Sequence, residues 1–312
     1  MRRDTVGSIP TMGFVVPTRN RPDELRRLLA SLAGQSRRPD QVVVVDGGER
    51  TVEDVVAEFP TLAIRYRRIY PPSLARQRNV GMQALDLGVQ IAGYLDDDLV
   101  LEHDALEAMA AFWAQARADV GGAGFNIVNH PGKMHGLWLK SLFFLESRRR
   151  GAVLRSGFHT DIFGARETMD VQWLYGGATV WRREVIDRFA YDEWFEGTGH
   201  LEDVEYSYRV GQRYRLAVVA AARAHHLTMP IRRDRNYLLG KWEAINRMYF
   251  TRKYPELSVL HCYWAIFGQM LMNAGNGLLR RDPGLFWRAL GNGVGLGYLV
   301  TGRRLRMGGT LK

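Results

Sequence analysis

Cysteine is nearly absent from the chain. Cys262 stands alone among 312 residues, which excludes an intramolecular disulfide and any multi-cysteine zinc site. Lysine is scarce as well. Only five of the 43 basic residues are lysines, so arginine supplies the excess over 33 acidic residues and the formal charge of +10. The eight histidines form no HExxH pattern, and the chain lacks GxxxxGK[ST], a GxGxxG after its first strand signal, and GxSxG. The N-terminal MRRDTVGSIPTMGFVVP has neither an apolar run of signal-peptide length nor a small-residue cleavage site, so a cytoplasmic location is expected. With 46% hydrophobic and 24% charged residues, disorder and coiled coil are excluded, and one large domain or two is expected.

What is present alternates between strand and helix signals. Gly13–Val16 and Val42–Val45 are short continuous apolar runs of the kind buried on both faces of a parallel sheet. Between them Pro22 suits a first helical position, and Asp23 and Glu24 suit the positive helix end. Leu25, Leu28, Leu29 and Leu32 then form one face, and Gly34 ends it. Helices are also expected at Val52–Phe59, within Gly81–Leu87, and at Asp104–Ala118. The apolar run Val89–Leu95 stops at Asp96-Asp97-Asp98. Further on, a helix over Arg182–Phe189, another starting near Glu202, and a strand over Leu216–Ala224 ending at His225-His226 are expected. The repetition implies an α/β, doubly wound, mainly parallel sheet with ligands at the C-terminal strand ends. A boundary near Pro230 divides a catalytic region, 1–230, from a helical C-terminal region, 231–312.

Three acidic groups carry the chemical signal. Three carboxylates leaving a buried strand at Asp96–Asp98 repel one another and need a cation, for which oxygen ligands of this kind suit Mg²⁺ or Mn²⁺. A solvated turn is the plain alternative. Asp46 ends another strand before Gly47-Gly48, so it is either a turn residue or a carboxylate at the sheet's mouth that accepts hydrogen bonds from a base or ribose. Glu202-Asp203 either complements a helix N-terminus or supplies a general base. Neutral imidazole at His225 or His226 is able to join carboxylates around Mn²⁺.

The joint order Phe14-Val-Val-Pro-Thr-Arg-Asn-Arg-Pro22, Val42-Val-Val-Val-Asp46-Gly47, Ala75-Arg-Gln-Arg-Asn-Val-Gly81, Leu95-Asp-Asp-Asp98, Trp173-Leu-Tyr-Gly-Gly177 and Glu202-Asp203 resembles the inverting glycosyltransferases of family 2 over residues 12–230. The resemblance implies a GT-A fold, a nucleotide-diphosphate sugar donor and Mn²⁺ or Mg²⁺. It makes Pro17, Thr18, Arg19, Asp46, Asp96 and Arg76 (with Arg78 as its alternative) the nucleotide-binding residues. Asp96 and Asp98 match the two ends of the family's DxD pattern as metal ligands, and Ala220–His226 matches the P-x-A-x-x-x-H stretch, selecting His226 as the third ligand although Ala220 replaces the proline. Trp173, Gly176 and Gly177 match the acceptor-side segment, where absent side chains would admit a sugar. Asp203, with Glu202 before it, matches the catalytic base.

The C-terminal region adds a partner of its own. Leu257–Leu279 carries no Asp, Glu, Lys or Arg, but His261, Gln269, Asn273 and Asn276 are costly in hydrocarbon, so spanning a bilayer is disfavoured. Tyr263, Trp264 and Phe267, the pair Arg280-Arg281 and the closing Arg303, Arg304 and Arg306 suit helices lying on the anionic inner face of a membrane. Gly291/Gly295 and Gly293/Gly297 keep small-xxx-small spacing, which suits close helix contact within the chain or in a homo-oligomer. The expected partners are therefore a nucleotide-sugar donor, a glycan or lipid-linked acceptor and a membrane surface. Nucleic acid is not expected, because the arginines are dispersed and the strand ends are acidic. Competing readings are a sugar-nucleotide nucleotidyltransferase and a basic membrane- or nucleic-acid-binding scaffold without catalysis.

Overall fold

A computed structural model describes residues 9–130, 137–195, 199–227 and 233–301. The chain divides into two compact units, one of residues 1–132 and 162–228 and the other of 133–161 and 229–312.

The first unit is built on a nine-stranded sheet. Strands β1 (Met12–Thr18) and β2 (Gln41–Asp46) are buried at every residue, which is why both read as unbroken apolar runs. Together with β3 (Ile64–Arg68) and β4 (Ile91–Leu95) they form a parallel set in the order β3-β2-β1-β4. Beside β4, and antiparallel to it, runs β8 (Ala178–Arg182). The sheet continues through β6 (Val120–Ile127) and β9 (Arg215–His226) to β5 (Leu99–Leu101), while β7 (Met169–Val171) also pairs with β9. Parallel pairing thus builds one half of the sheet, and mixed pairing the other.

Helices cover both faces. On one, α1 (Pro22–Ala33) buries Leu25, Leu28, Leu29 and Leu32, and α4 (Ala105–Gln115) buries Leu106, Met109 and Trp113, against Phe14, Val16, Val42 and Val44. On the other, α3 (Leu74–Ala84) lies so close to the sheet that a Cβ on Gly81 would stand 2.2 Å from Val15 Cγ1. Three shorter helices complete this unit: α2 (Glu53–Ala57), α6 (Arg183–Arg188) and α7 (Glu202–Gly211).

Strands β3, β5, β6 and β7 escaped the sequence reading, each for a reason. Strand β3, Ile-Arg-Tyr-Arg-Arg, has only part of its surface buried and no continuous apolar run. Strands β5 and β7 are three residues long. In β6 the glycines hide the pattern: a Cβ on Gly122 would meet the Trp181 ring at 2.4 Å, so the large ring takes the volume that a strand residue normally fills.

The second unit is helical. It contains α5 (Leu137–Leu142), α8 (Arg233–Lys253), α9 (Val259–Leu279) and α10 (Pro283–Thr301). The glycines of α10 are used within the chain. A Cβ on Gly291 would lie 2.0 Å from Tyr237 O, and one on Gly240 2.1 Å from Arg288 O, so α8 and α10 touch backbone to backbone. A buried polar cluster ties the same helices. Glu243 pairs with Arg288, and it also accepts from Gln269 and Asn292 at 3.2 Å. Among the described residues, no helix is long and apolar enough to cross a membrane.

Candidate active site

The C-terminal ends of β1, β2 and β4 deliver Thr18, Asp46 and Asp96 to one edge of the sheet, as parallel pairing of these strands requires. Asp46 is fully buried. Its Oδ1 accepts from Gly48 N at 2.6 Å and its Oδ2 from Tyr66 Oη at 2.6 Å. Burial, then this contact, pushes the Tyr66 phenol above its ordinary range, so it stays a donor. Thr18 turns inward and donates to Asp97 Oδ2 at 2.8 Å. Pro17 is buried in β1, whereas Arg19 is exposed where the strand ends.

The three consecutive aspartates have three different surroundings. Asp97 is buried and held by Thr18 and by Arg21, whose Nη1 stands 2.7 Å from Asp97 Oδ1. Burial outweighs both partners and lifts Asp97 to about 7. Asp98 receives the other arm of Arg21 at 3.0 Å on Oδ2. Its Oδ1 is buried, lies 3.2 Å from His226 Nε2, and is otherwise without a polar partner. Burial would raise Asp98, but His226 and Arg21 win and hold it below the usual carboxylate range. The same contact acts on His226 in reverse: burial would lower it, and Asp98 raises it above the ordinary imidazole value. Asp96 faces elsewhere, accepting from Arg78 Nη2 at 3.0 Å and from Tyr175 Oη at 3.4 Å.

Two donor atoms that share one Mg²⁺ or Mn²⁺ at bonds of about 2.1 Å stand about 3 Å apart at a right angle. The Asp98 Oδ1–His226 Nε2 separation of 3.2 Å fits that requirement, and so does the unfilled capacity of Asp98 Oδ1. Among the described residues, no three acidic, histidine or cysteine side chains are gathered into a metal-holding cluster. Asp96 is turned toward Arg78 instead.

Arg78 joins the two acidic regions. Its guanidinium is 1% exposed, with Nη1 2.8 Å from Glu202 Oε1 and Nη2 3.0 Å from Asp96 Oδ1. The Tyr191 and Tyr94 rings lie 5.0 and 5.8 Å from it and supply cation–π contact in this dry setting. Burial works against this charge, yet the surrounding groups, led by Tyr191, Asp96 and Glu202, keep Arg78 well above its ordinary range. Of the two arginines that the sequence offered, Arg78 is therefore built into the site. Arg76 is half-buried and makes no hydrogen bond or ion pair among the described residues.

Glu202 and Asp203 open α7, and their surroundings separate their roles. Both Glu202 oxygens are occupied, Oε1 by Arg78 and Oε2 by His200 N at 2.7 Å. Asp203 is half-buried, with Oδ2 accepting from Gly176 N at 3.1 Å and Oδ1 from Val204 N at 2.8 Å. Burial, with Glu202 next to it, lifts Asp203 to about 7 against the opposing Gly176 N–H and Arg78. The turn into α7 is strained: Gly199, His200 and Leu201 all have positive φ, at 72°, 129° and 73°. A Cβ on Gly199 would meet the Glu202 carboxyl at 2.5 Å.

Gly176 and Gly177 sit between these groups. A Cβ on Gly177 would lie 2.1 Å from Asp96 Oδ2, and one on Gly176 2.6 Å from Asp203 Cβ. The space left by the missing side chains is filled by the chain's own carboxylates. Trp173 is 4% exposed and meets the Phe163 ring edge-on at 6.4 Å, inside the unit. Two residues on, the Tyr175 hydroxyl does reach the acidic groups, 3.4 Å from Asp96 Oδ2 and 3.3 Å from His226 Nε2. Arg21, Tyr66 and Tyr175 were missed in the sequence. Arg21 alone left a signal, as a second arginine in Thr18-Arg19-Asn20-Arg21-Pro22.

The Glycosyl transferase family 2 model matches residues 14–172, half of the chain, from within β1 past the DDD turn to the end of β7. The chain belongs to glycosyl transferase family 2. Its fold is GT-A. The mannosyltransferase PcManGT from Pyrobaculum calidifontis, solved with GDP-Man and Mn²⁺, is similar with a TM-score of 0.60 at 15% identity, covering 95% of this chain and 88% of that one. TarS residues 1–349 from S. aureus are similar at a TM-score of 0.53 and 16% identity, over 95% and 93% of the two chains. GalNAc-T7, solved with UDP, GalNAc and Mn²⁺, gives 0.56 at 15% identity over 88% of this chain and 59% of that one. No curated protein matches the chain in sequence.

Proposed function

We propose that this family 2 glycosyltransferase moves a sugar from a nucleotide-diphosphate donor to a glycan or lipid-linked acceptor with inversion at the anomeric carbon. The observation that carries the reading is the buried guanidinium of Arg78, which ties Asp96 at the sheet edge to Glu202 beside Asp203. A carboxylate suited to an anion-binding cation and a carboxylate suited to a base are thereby fixed in one site.

In this reading Pro17, Thr18, Arg19, Asp46 and Arg76 line the nucleotide. Asp46 already holds Gly48 N and Tyr66, so it shapes the base pocket as well as bordering it. Asp98 and His226 would hold Mn²⁺ or Mg²⁺, and Asp96 would join them on releasing Arg78. When bound, such an ion neutralises negative charge on a diphosphate. Mn²⁺ accompanies GDP-Man in the PcManGT structure. Asp203 takes the proton from the acceptor hydroxyl, oriented by Gly176 N–H and raised in pKa toward the value a base needs near neutral pH. Glu202, with both oxygens engaged, positions Arg78 and the start of α7 instead of exchanging protons. Trp173, Gly176 and Gly177 form the acceptor side, with the glycines giving Asp96 and Asp203 their places. A lipid-linked acceptor places the first unit's chemistry at a membrane, and attachment of the second unit to the inner leaflet belongs to the same reading.

Asp203→Asn is the direct test. It keeps the shape and one of the two backbone hydrogen bonds, since an amide nitrogen cannot accept the other, and it removes the base, so kcat should fall by about 10²–10⁴ while donor affinity by calorimetry stays within about twofold. Normal turnover by the purified variant would remove Asp203 from the base role.

A further inference from the structure

The sequence's positive excess is not spread over the molecule. Residues 133–161 and 229–312, the second unit, hold 20 Lys and Arg against six Asp and Glu, a net of +14. The first unit holds 23 against 27, a net of −4. All of the excess therefore belongs to the helical unit.

That unit also carries an exposed apolar stripe. Leu260, Trp264, Phe267, Leu271 and Leu278 of α9 are exposed at 77%, 44%, 36%, 45% and 72%. At 3.6 residues per turn they fall within an arc of about 60° along the helix. The opposite side of α9 buries Cys262, Ala265 and Ile266. Helix α5 widens the stripe. Trp264 Nε1 donates to Leu142 O at 3.0 Å, and Phe143 packs where a Cβ on Gly268 would clash at 2.2 Å. Trp138 and Leu142 of α5 are themselves exposed, at 76% and 58%. Arg280 and Arg281, at the end of α9, are exposed.

We propose that the α5–α9 face docks on an anionic lipid bilayer, with α9 lying in the plane of the headgroups and its leucines and tryptophans entering the acyl boundary. Two observations select this occupant. Leucine-rich apolar surface finds its best solvent in hydrocarbon, and tryptophan belongs at the interface. A unit of net +14 repels a second copy of itself but is drawn to a surface of negative lipids. The inference deepens the membrane element of the functional reading and rests on it for its purpose, although the binding itself needs no catalysis.

The full chain is mixed with vesicles of phosphatidylcholine alone or with phosphatidylglycerol added, and floated on a density gradient. Binding is expected only with the anionic lipid, weakening as salt rises, with a blue shift of tryptophan emission in the bound protein. Leu260→Glu combined with Leu271→Glu should lower vesicle affinity at least tenfold, with far-UV dichroism and melting unchanged. Depth-dependent quenching by brominated lipid in the unsubstituted chain reports insertion without relying on the variant. Failure to float with anionic vesicles overturns the proposal. So does a salt-stable dimer abolished by the same two substitutions, or retention by single-stranded RNA in preference to the vesicles. Asp203→Asn should bind vesicles like the parent, so failure of sugar transfer and failure of docking are separately visible.

Discussion

At the residue scale, proton affinity and buried charge decide what this site does. Asp203, the proposed base, is raised to about 7 and so loses its free lone pair as pH falls through neutrality, because the protonated fraction grows below its pKa. We therefore expect kcat/KM to decline on the acid side of about pH 7, approaching tenfold per pH unit, with no matching loss of donor binding. A flat profile between about pH 5 and 8 would show that Asp203 does not gate the step. Arg78 makes the second case. Replacing it by methionine keeps the volume but leaves Asp96 and Glu202 facing each other without their cation. Removing one partner of a buried charge cluster costs about 3–5 kcal/mol, measurable as a lower midpoint in urea at an unchanged slope. Arg76→Met, made at a half-buried side chain without polar partners among the described residues, should leave the midpoint within about 0.5 kcal/mol.

At the scale of elements, glycine positions explain most of the close approaches. Gly81 lets α3 lie on β1, and Gly240 and Gly291 let α8 and α10 meet through their backbones. Gly291→Val should destabilise the helical unit by about 1–3 kcal/mol, read as an earlier loss of helical dichroism on heating. Gly297→Ala serves as its control, since a Cβ there meets nothing within 4 Å. The leucine periodicity of α1 and the apolar runs of β1, β2 and β4 were legible in the sequence because each element buries one continuous surface. Helix α3 was seen only at its end, around Gly81, because its first turns carry Arg76, Gln77 and Arg78. Arg78 pairs with Asp96 and Glu202, and Gln77 donates to both Thr18 O and Val45 O. Strand β6 was invisible for the opposite reason, since its side-chain volume comes from a neighbour.

For the whole molecule, order along the chain revealed more than any single motif. Strand ends and helix starts pointed to Asp46, Asp96–Asp98, Glu202-Asp203 and His225-His226, the family resemblance chose Asp98, Asp203 and His226 among them, and parallel pairing of β1, β2 and β4 explains why Thr18, Asp46 and Asp96 reach one edge. The internal partners were not legible. Nothing local to Arg78 announces Glu202, 124 residues away, or tells that Arg21 would hold two of three neighbouring aspartates. If the donor reading holds, one of UDP-, GDP- or dTDP-sugars should raise the melting temperature in the presence of Mn²⁺ and less without it, because a ligand that binds only the folded chain stabilises it by mass action. No shift with any of them at millimolar concentration would argue for a different class of donor.

The left-handed turn at His200 and Leu201 bears on how this protein is able to change over generations. Backbone of that kind is easiest for glycine, so relaxing it at His200 is among the simplest routes to a more heat-resistant variant. The same relaxation frees the first turn of α7, which carries the proposed base Asp203. Selection for durability and selection for turnover therefore pull this short stretch of chain in opposite directions.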